Sequence, residues 1–541
     1  MIDEASRDRL VEALRAKGFV ANAQPDHIDF CGHITVKDKD VEAVLRFQDA
    51  SFLKAPKLIL PDPTPLGRHV VPHLDELGVL CVFDQILYLF DPYRAAESCL
   101  GILKKAASDL EKNCGKIAEA EIAEELPQHF GGYTVWTEFD KHDGVLALST
   151  VGPRRDTKYS PSVKNNKQPR AFSVTIPVDL SFTSEQPRPA HLGGFLDWIE
   201  HWHKGGANLV LQQLSKGAQG ALDLVCIVCA QNGQVGFQLK PDGIAPKQAE
   251  VFANMSWSQL ASLSKIRDIP IKRLQGRRCD LAYVLSRNGG EMGPLSSLKV
   301  LLIGCGSIGG FAALSLAQLG AGALDGSFTL IDPDRLSAPN TTRHILGMNA
   351  IGEAKTDAVK ELIDQHLLGL SVVSIPGEVQ SLSDELMDFD LVIDATGEHH
   401  ISEWLNRFAL QRTSNASPAV FHSWIEGRGA AVRSFFNGAP EAGCMRCLHA
   451  DLEDEKGRYW VLKPEATTDA ARPCGDDAYM PYGPSAAMAA AALLNAHVSD
   501  WASGNPIKHL LTQRLNFEMT NQVKPVSPSR LSSCPACGAR D

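Results

Sequence analysis

The sequence has no long apolar run. Its most apolar stretch, Ala486 to Leu494, is alanine-rich and far short of the ~20 residues that a bilayer-spanning helix needs. No membrane partner is therefore expected. The first residues, Met1 to Arg7, lack the basic-then-apolar pattern of a secretory leader, which points to the cytoplasm. Positive charge is in deficit, 53 Lys and Arg against 64 Asp and Glu, for a net charge of −11. That argues against a nucleic-acid surface. No internal repeat is visible. The 13 cysteines are an odd count in a large chain without a leader, so a disulfide framework is not expected. Metal ligands and reactive thiols are.

What is present is ordinary globular composition, 44% hydrophobic and 22% charged, over 541 residues. A chain of that length exceeds one core. Composition and pattern divide it at residues 1–115, 116–290 and 291–541.

The clearest pattern lies in the third segment. Leu298 to Ile303 is an apolar run of the kind that forms a buried parallel strand. It breaks into Gly304-Cys305-Gly306-Ser307-Ile308-Gly309-Gly310, and a helical pattern follows from Phe311. Glycines let the backbone turn sharply and approach a phosphate, and the helix N-terminus offers its open N–H groups to the anion. A second strand ends in Asp332-Pro333-Asp334, 28 residues past Gly304, where an acid can hold ribose hydroxyls. The stretch predicts a nucleotide site, with Gly304, Gly306 and Gly309 as its loop. Downstream stand Asn340, Arg343 and Lys355, then Asp394 at the end of another apolar strand. Arg343 and Lys355 suit a triphosphate and the charge that develops on leaving pyrophosphate. A carboxylate such as Asp394 at the C-terminal edge of a parallel sheet can hold Mg²⁺.

Gly-x-Gly-x-x-Gly, Asp-x-Asp, Asn-x-x-Arg-His, Gly-x-x-Lys and Asp-Ala-Thr occur here in one order. The set resembles the adenylation domain of ubiquitin-activating enzymes and of their bacterial ThiF/MoeB-type relatives that serve sulfur carriers. The resemblance covers about residues 291 to 541 and implies a Rossmann-like domain that uses ATP. It assigns Asp332 and Asp334 to ribose and to metal or phosphate, Asn340, Arg343 and Lys355 to the triphosphate, and Asp394 to Mg²⁺. It also implies a homodimer in which an upstream arginine of one protomer, Arg277 or Arg278, completes the partner's site.

Two Cys-x-x-Cys pairs, Cys444/Cys447 and Cys534/Cys537, lie in glycine- or proline-bearing turns. Four thiolates in two such pairs make a closed tetrahedral Zn²⁺ site that staples the C-terminus to the domain. Cys226 and Cys229 are also three apart, but in an apolar β-branched run. On a strand they would point to opposite faces, so they are rejected as ligands. Cys474 sits in a polar loop near Arg472, where an exposed thiol can ionise and attack. Activating enzymes carry a thioester cysteine in a loop of this region, which makes Cys474 the candidate.

The first segment reads as helix, strand meander, irregular cysteine segment and helix. Its order of Pro72-His73, an acidic loop, Gly78-x-x-Cys81 and Phe90-Asp91-Pro92 resembles ubiquitin-conjugating enzymes, above all divergent bacterial ones. That makes Cys81 the acceptor of a modifier's C-terminus. The usual His-Pro order is reversed here, and the asparagine that follows it is missing. Cys99, in the next helix, reads as packing. The middle segment reads as a connecting domain of α/β character. In it, residues 152–170 form a basic, proline-bearing loop, and one helix, Leu192 to Leu214, is rich in Trp and His that pack or face solvent.

Together these segments resemble bacterial fusions of a conjugating-like and an activating-like domain, most closely the CD-NTase-associated fusions of CBASS antiphage operons. The resemblance implies activation of the C-terminal glycine of a carrier, either a ubiquitin-like protein or a CD-NTase, and its transfer from Cys474 to Cys81 and on to an amine of a target protein. Two other readings remain at this level: a sulfur-carrier adenylyltransferase of the thiamin or molybdopterin type, and a non-catalytic nucleotide-binding scaffold.

Overall fold

The computed structural model describes residues 4–48, 52, 54–82, 90–114, 118–152, 155–162, 170–215, 224–239, 267–289, 292–410, 418–438, 442–448, 458–464 and 481–538. The chain forms two compact units, residues 1–280 and 281–541. The second therefore begins with the helix Leu281–Gly289, ten residues before the expected boundary, because Leu281 packs against that unit's core.

The first unit starts with the helix Glu4–Ala16 and a five-stranded antiparallel sheet, β1 (Val20–Ala23), β2 (Ile28–Val36), β3 (Lys39–Phe47), β4 (Lys57–Ile59) and β5 (Val79–Leu80), in that order. Alternation along β2 and β3 sends Phe30, Ile34, Val36, Val41, Ala43, Leu45 and Phe47 into one core. There they meet Leu10 and Leu14 of the first helix and Cys99, Ile102 and Ala106 of the helix Ala95–Asn113. Cys99 is fully buried, and burial pushes its thiol up to about 12, so its role is packing, as expected.

The middle segment is a closed seven-stranded barrel where the sequence read as α/β. Its strands are β6 (Tyr133–Thr137), β7 (Gly144–Val151), β8 (Asp156–Pro161), β9 (Ala171–Thr175), β10 (Val225–Ala230), β11 (Gly233–Leu239) and β12 (Ile271–Arg278). The barrel closes through parallel pairing of β9 with β10. Part of the basic "loop" is β8, and the cationic run at 271–278 is β12. Both were obscured because their residues are mostly polar or charged and show no clear period-2 alternation. The expected long helix is two, Leu192–Trp202 and Gly206–Ser215, broken at Gly205 with φ 86°. Cys226 and Cys229 lie on β10, as the strand argument required. Cys226 packs outward with Trp198 and Phe195, whereas Cys229 packs inward with Ile227 and Leu274. Both are buried, and burial raises both thiols, that of Cys229 to about 12.

The sheet and the barrel share one unit through specific contacts. Val70 is part of the barrel-side core. Arg68 donates to the Phe182 carbonyl at 3.0 Å, and Glu76 pairs with Arg273 at 2.7 Å while accepting from the Gly132 N–H at 2.9 Å.

The second unit is a seven-stranded sheet in the order β15 (Val372–Ile375), β14 (Ser327–Ile331), β13 (Lys299–Ile303), β16 (Leu391–Asp394), β17 (Ala419–Glu426), β18 (Ala431–Asn437) and β19 (Leu510–Arg514). The first five run parallel, and β18 and β19 are added by antiparallel pairing. Along β13, Val300 and Leu302 enter one core and Leu301 and Ile303 another. The sheet is covered on both faces, which is why β13 reads as a continuous apolar run. Each fully buried Leu or Ile there contributes roughly 1.5–3 kcal/mol. The helices Ser307–Gln318, Lys355–His366 and Pro484–Ala502 cover one face, and His399–Leu410 covers the other. From β13 the chain runs outward through β14 to β15, then returns to β16 on the other side. That reversal opens a crevice at the C-terminal end of β13, where such sheets bind ligands. No helix among the described residues is long and apolar enough to cross a membrane.

Candidate functional site

The crevice is a cavity of about 940 Å³. Gly304, Gly306, Asp332, Asp334, Asn340, Arg343 and Lys355 all line it, so seven of the predicted residues converge. Gly306 caps the helix Ser307–Gln318 without a side-chain bond, and Ser307 and Ile308 also face the cavity. The first-turn N–H groups of that helix thus stand at the cavity for an anion. Gly309 does not line it. Its place is structural, because a Cβ there would lie 1.8 Å from the Gly304 carbonyl oxygen.

The Asp332 carboxylate holds the loop. It accepts from the Cys305 N–H at 2.6 Å and from the Asp334 N–H at 2.8 Å. Burial raises its pKa, and the attraction of Lys355 and the two backbone N–H groups offsets only part of that. Lys355 is buried and pairs with the exposed Asp334 at 2.6 Å. A triphosphate arriving in the cavity competes with Asp334 for that ammonium group. Arg343 lies 5.4 Å from the ring of Tyr482, whose hydroxyl meets Ser307 Oγ at 2.5 Å. Asn340 Oδ1 accepts from the backbone and side chain of Ser337, which fixes its amide.

Asp394 is placed differently from the expectation. It is 2% exposed and does not line the cavity. Its Oδ1 accepts from the Thr396 N–H at 3.1 Å and the Thr396 hydroxyl at 2.7 Å. Its Oδ2 accepts from Ser402 at 2.6 Å and from His422 Nδ1 at 2.9 Å. The carboxylate's four acceptor positions are thereby filled, which does not fit a Mg²⁺ ligand in this geometry. Burial acts to raise its pKa, but the hydrogen bond and charge of His422 and the Ser402 and Thr396 hydroxyls hold it below the usual carboxylate range. Thr396, Ser402 and His422 are the residues that reach the cavity wall. Register explains the His422 contact, since Asp394 and His422 are direct partners on β16 and β17.

Cys444, Cys447, Cys534 and Cys537 come together with all sulfurs within 4.8 Å of one another. The Cys444–Cys534 and Cys444–Cys447 separations are 3.9 and 4.0 Å. A tetrahedral zinc–thiolate centre with ~2.3 Å bonds places its sulfurs about 3.8 Å apart, so the four residues fit such an ion.

In the first unit, Cys81 follows β5, is exposed, and donates its N–H to the His73 carbonyl at 2.9 Å. The turn before it needs a glycine, because a Cβ on Gly78, at φ 79°, would lie 2.6 Å from the Leu60 carbonyl oxygen. Cys81 lines a cavity of about 740 Å³ together with His73, Phe90, Glu125, Gln128 and His129. His73 holds a left-handed φ of 59°. Its ring contacts Glu121 at 3.3 Å and Glu125 at 3.4 Å. The Glu125 hydrogen bond raises the pKa of His73 against a lowering from burial. His129 is 1% exposed, and burial lowers it to about 4.

Cys474 and Arg472 lie outside the described residues. Arg278 is committed to Asp140 at 2.6 Å and to Asp280 at 2.8 Å, whereas Arg277 is exposed. Sequence reasoning missed Ser402, His422, Tyr482, Glu125 and His129. His422 had a signal, an imidazole within the apolar run of β17, whereas Ser402 in the helix His399–Leu410 had none. Glu125 and His129 had none either, since only the tertiary fold brings the short helix Leu126–Phe130 and its N-cap Glu125 to Cys81.

Residues 284–536 match the model of the ThiF family. The ATP-dependent ubiquitin transferase-like protein Cap2 of Pseudomonas aeruginosa strain BWHPSA011 / Pa011 is 25% identical over 98% of both chains. Cap2 of Vibrio cholerae serotype O1 is 30% identical over 49% of this chain and 46% of its own. Among solved structures, E. coli MccB with succinimide aligns at a TM-score of 0.35 and 19% identity, over 47% of this chain and 69% of MccB. The chain thus matches the ThiF family over a Rossmann-type region and resembles, over nearly its whole length, the ATP-dependent ubiquitin transferase-like Cap2 proteins.

Proposed function

We propose that this chain activates the C-terminal glycine of a carrier protein with MgATP and passes it through two cysteines to an amine. The observation that carries the reading is the cavity at the end of β13. A glycine loop, a helix N-terminus, Arg343 and Lys355 all face one space large enough for a nucleotide and a peptide end.

MgATP is the substrate, and Mg²⁺ enters with it. The helix N-terminus, Arg343 and Lys355 neutralise the phosphates, with Asp334 released from Lys355 as they bind. A carboxylate oxygen of the carrier attacks the α-phosphorus. The bond to the β-phosphate breaks, and pyrophosphate leaves with its charge held by Arg343 and Lys355. The sulfur of Cys474 then attacks the acyl carbon and AMP departs. The sulfur of Cys81 attacks that thioester and frees Cys474. Finally an amine displaces Cys81 to give an amide. Each step replaces one hard substitution by an easier one. The exposed Cys81 beside a cavity supports the conjugating role. The conjugating-like domain then spans about residues 1–115 and the connecting domain 116–290.

The four cysteines hold zinc as a closed structural centre, which leaves no open position for substrate. The active form is a homodimer in which Arg277, exposed where Arg278 is bound, supplies the partner's arginine. The setting is cytoplasmic antiphage defence, with a ubiquitin-like protein or a CD-NTase as carrier. The test is pyrophosphate exchange into ATP in the presence of candidate carriers ending in glycine. Exchange with an intact carrier and none after deletion of its last residue supports the proposal. No exchange with any carrier favours the nucleotide-binding scaffold. Full carrier processing by Cys81→Ala favours the sulfur-carrier reading.

A further inference from the structure

A chain of buried polar side chains runs from the wall of the nucleotide cavity to the cysteine cluster. His422 Nδ1 donates to Asp394. On the other side of the ring, Asn437 Nδ2 lies 3.4 Å from His422 Nε2 and donates to Asn406 Oδ1 at 3.0 Å. Asn406 Oδ1 also accepts from the Met445 N–H at 3.2 Å, and its Nδ2 donates to Cys444 Sγ at 3.7 Å. Asp394, His422, Asn437, Asn406 and Cys444 are each 1–3% exposed. They sit on β16, β17, β18, the helix His399–Leu410 and the turn that bears the first cysteine pair.

The donors of this chain point outward from Asn437, whose nitrogen serves both Asn406 and His422. A thiolate at Cys444 is an acceptor only, so it orients the Asn406 amide with nitrogen toward sulfur. That leaves Asn406 Oδ1 for Asn437. The Asn437 nitrogen then faces His422 Nε2 and makes that atom the acceptor. The proton is thereby placed on Nδ1, toward Asp394, and Asp394 in turn holds Thr396 and Ser402 at the cavity wall. In a buried network each flip leaves another group unsatisfied, so the arrangement moves as a unit.

We propose that His422, Asn437 and Asn406 are positioning residues that anchor the nucleotide cavity to the metal-bound cysteine centre. Metal in that centre tightens nucleotide binding, and by reciprocity nucleotide tightens metal binding by the same factor. The inference rests on reading the cavity as an ATP site, but it needs neither carrier nor thioester.

The experiment measures the zinc affinity of the full zinc-loaded chain by equilibrium competition with a chromogenic chelator, with and without a non-hydrolysable ATP analogue, alongside calorimetric analogue affinity. The parent chain is expected to hold zinc about tenfold more tightly with analogue, within the usual range of coupling between two sites. Asn437→Leu is expected to keep its zinc stoichiometry, bind analogue about tenfold more weakly and show no protection. Asn437→Ser repeats the test with less steric change, should the first variant fold poorly. If the analogue binds and protects the parent and both variants equally, or protects none, the coupling is overturned while the activation reading stands. If the parent binds no analogue, both are overturned.

Discussion

Replacing Asp394 by alanine separates two roles for this carboxylate. As a Mg²⁺ ligand it would matter to the nucleotide and little to the fold. The structure gives it the opposite weight. Asp394→Ala strips the acceptor from the Thr396 N–H, the Thr396 and Ser402 hydroxyls and His422 Nδ1. A hydrogen bond to a charged group contributes about 1.5–3 kcal/mol. Four of them do not add, because the hydroxyls can rotate, and Thr396 and Ser402 can turn to water in the cavity they line. His422 cannot, being 1% exposed. The expected net loss is about 2–3 kcal/mol, the cost of leaving the buried His422 donor without its charged acceptor. Denaturant unfolding of the second unit, followed with analogue affinity by calorimetry, reads both quantities. The account predicts a loss of that size together with weaker binding. A variant that unfolds within about 1 kcal/mol of the parent, a change typical of an unremarkable site, yet cannot use ATP would refute the positioning role.

Gly309→Ala is expected to abolish nucleotide binding, because its Cβ would stand 1.8 Å from the Gly304 carbonyl oxygen and must push the loop open; calorimetry checks it. His129 gives the first unit an acid sensitivity. Its folded pKa of about 4 lies below the ordinary 6.5, so between those values the unfolded chain takes up a proton that the folded one refuses, and stability falls as pH falls. The loss from pH 7.5 to 5 is about 2 kcal/mol, and a His129→Gln variant should not show it in paired denaturation curves. His73 runs the other way: its raised pKa contributes stability below about 6.5, lost as pH rises through the folded value. Cys447→Ser, or exhaustive chelation, is expected to lower the thermal midpoint of the second unit and free the segment around Cys534. Proteolysis that cuts near Cys534 equally with and without metal would count against a structural centre.

The parallel sheet and its glycine loop were legible in the sequence because β13, β14 and β16 are buried on both faces and carry almost no polar residue. The loop residues, Asp332 and Lys355 followed from order along the chain. The barrel was less legible. Its strands β8 and β12 are mostly polar or charged, and such a sequence resembles that of a polar loop. The surroundings of Asp394 were not legible for a different reason. A carboxylate at a strand end is chemically able to hold a metal, but whether it does depends on which donors the neighbouring strand brings. Here β17 places His422 against it, and no local pattern around Asp394 announces that. The surroundings of Cys81 were hidden in the same way, since Glu125 and His129 reach it from the segment after its own helix.

The central claim is a relay from ATP through two thiols. It is tested most directly by incubating the chain with MgATP and a glycine-ending carrier and resolving the products on non-reducing gels. The account predicts carrier adducts that vanish with added thiol, that require ATP, and that are absent from a Cys81→Ala/Cys474→Ala double variant. Thiol-sensitive adducts that persist in the double variant would contradict it.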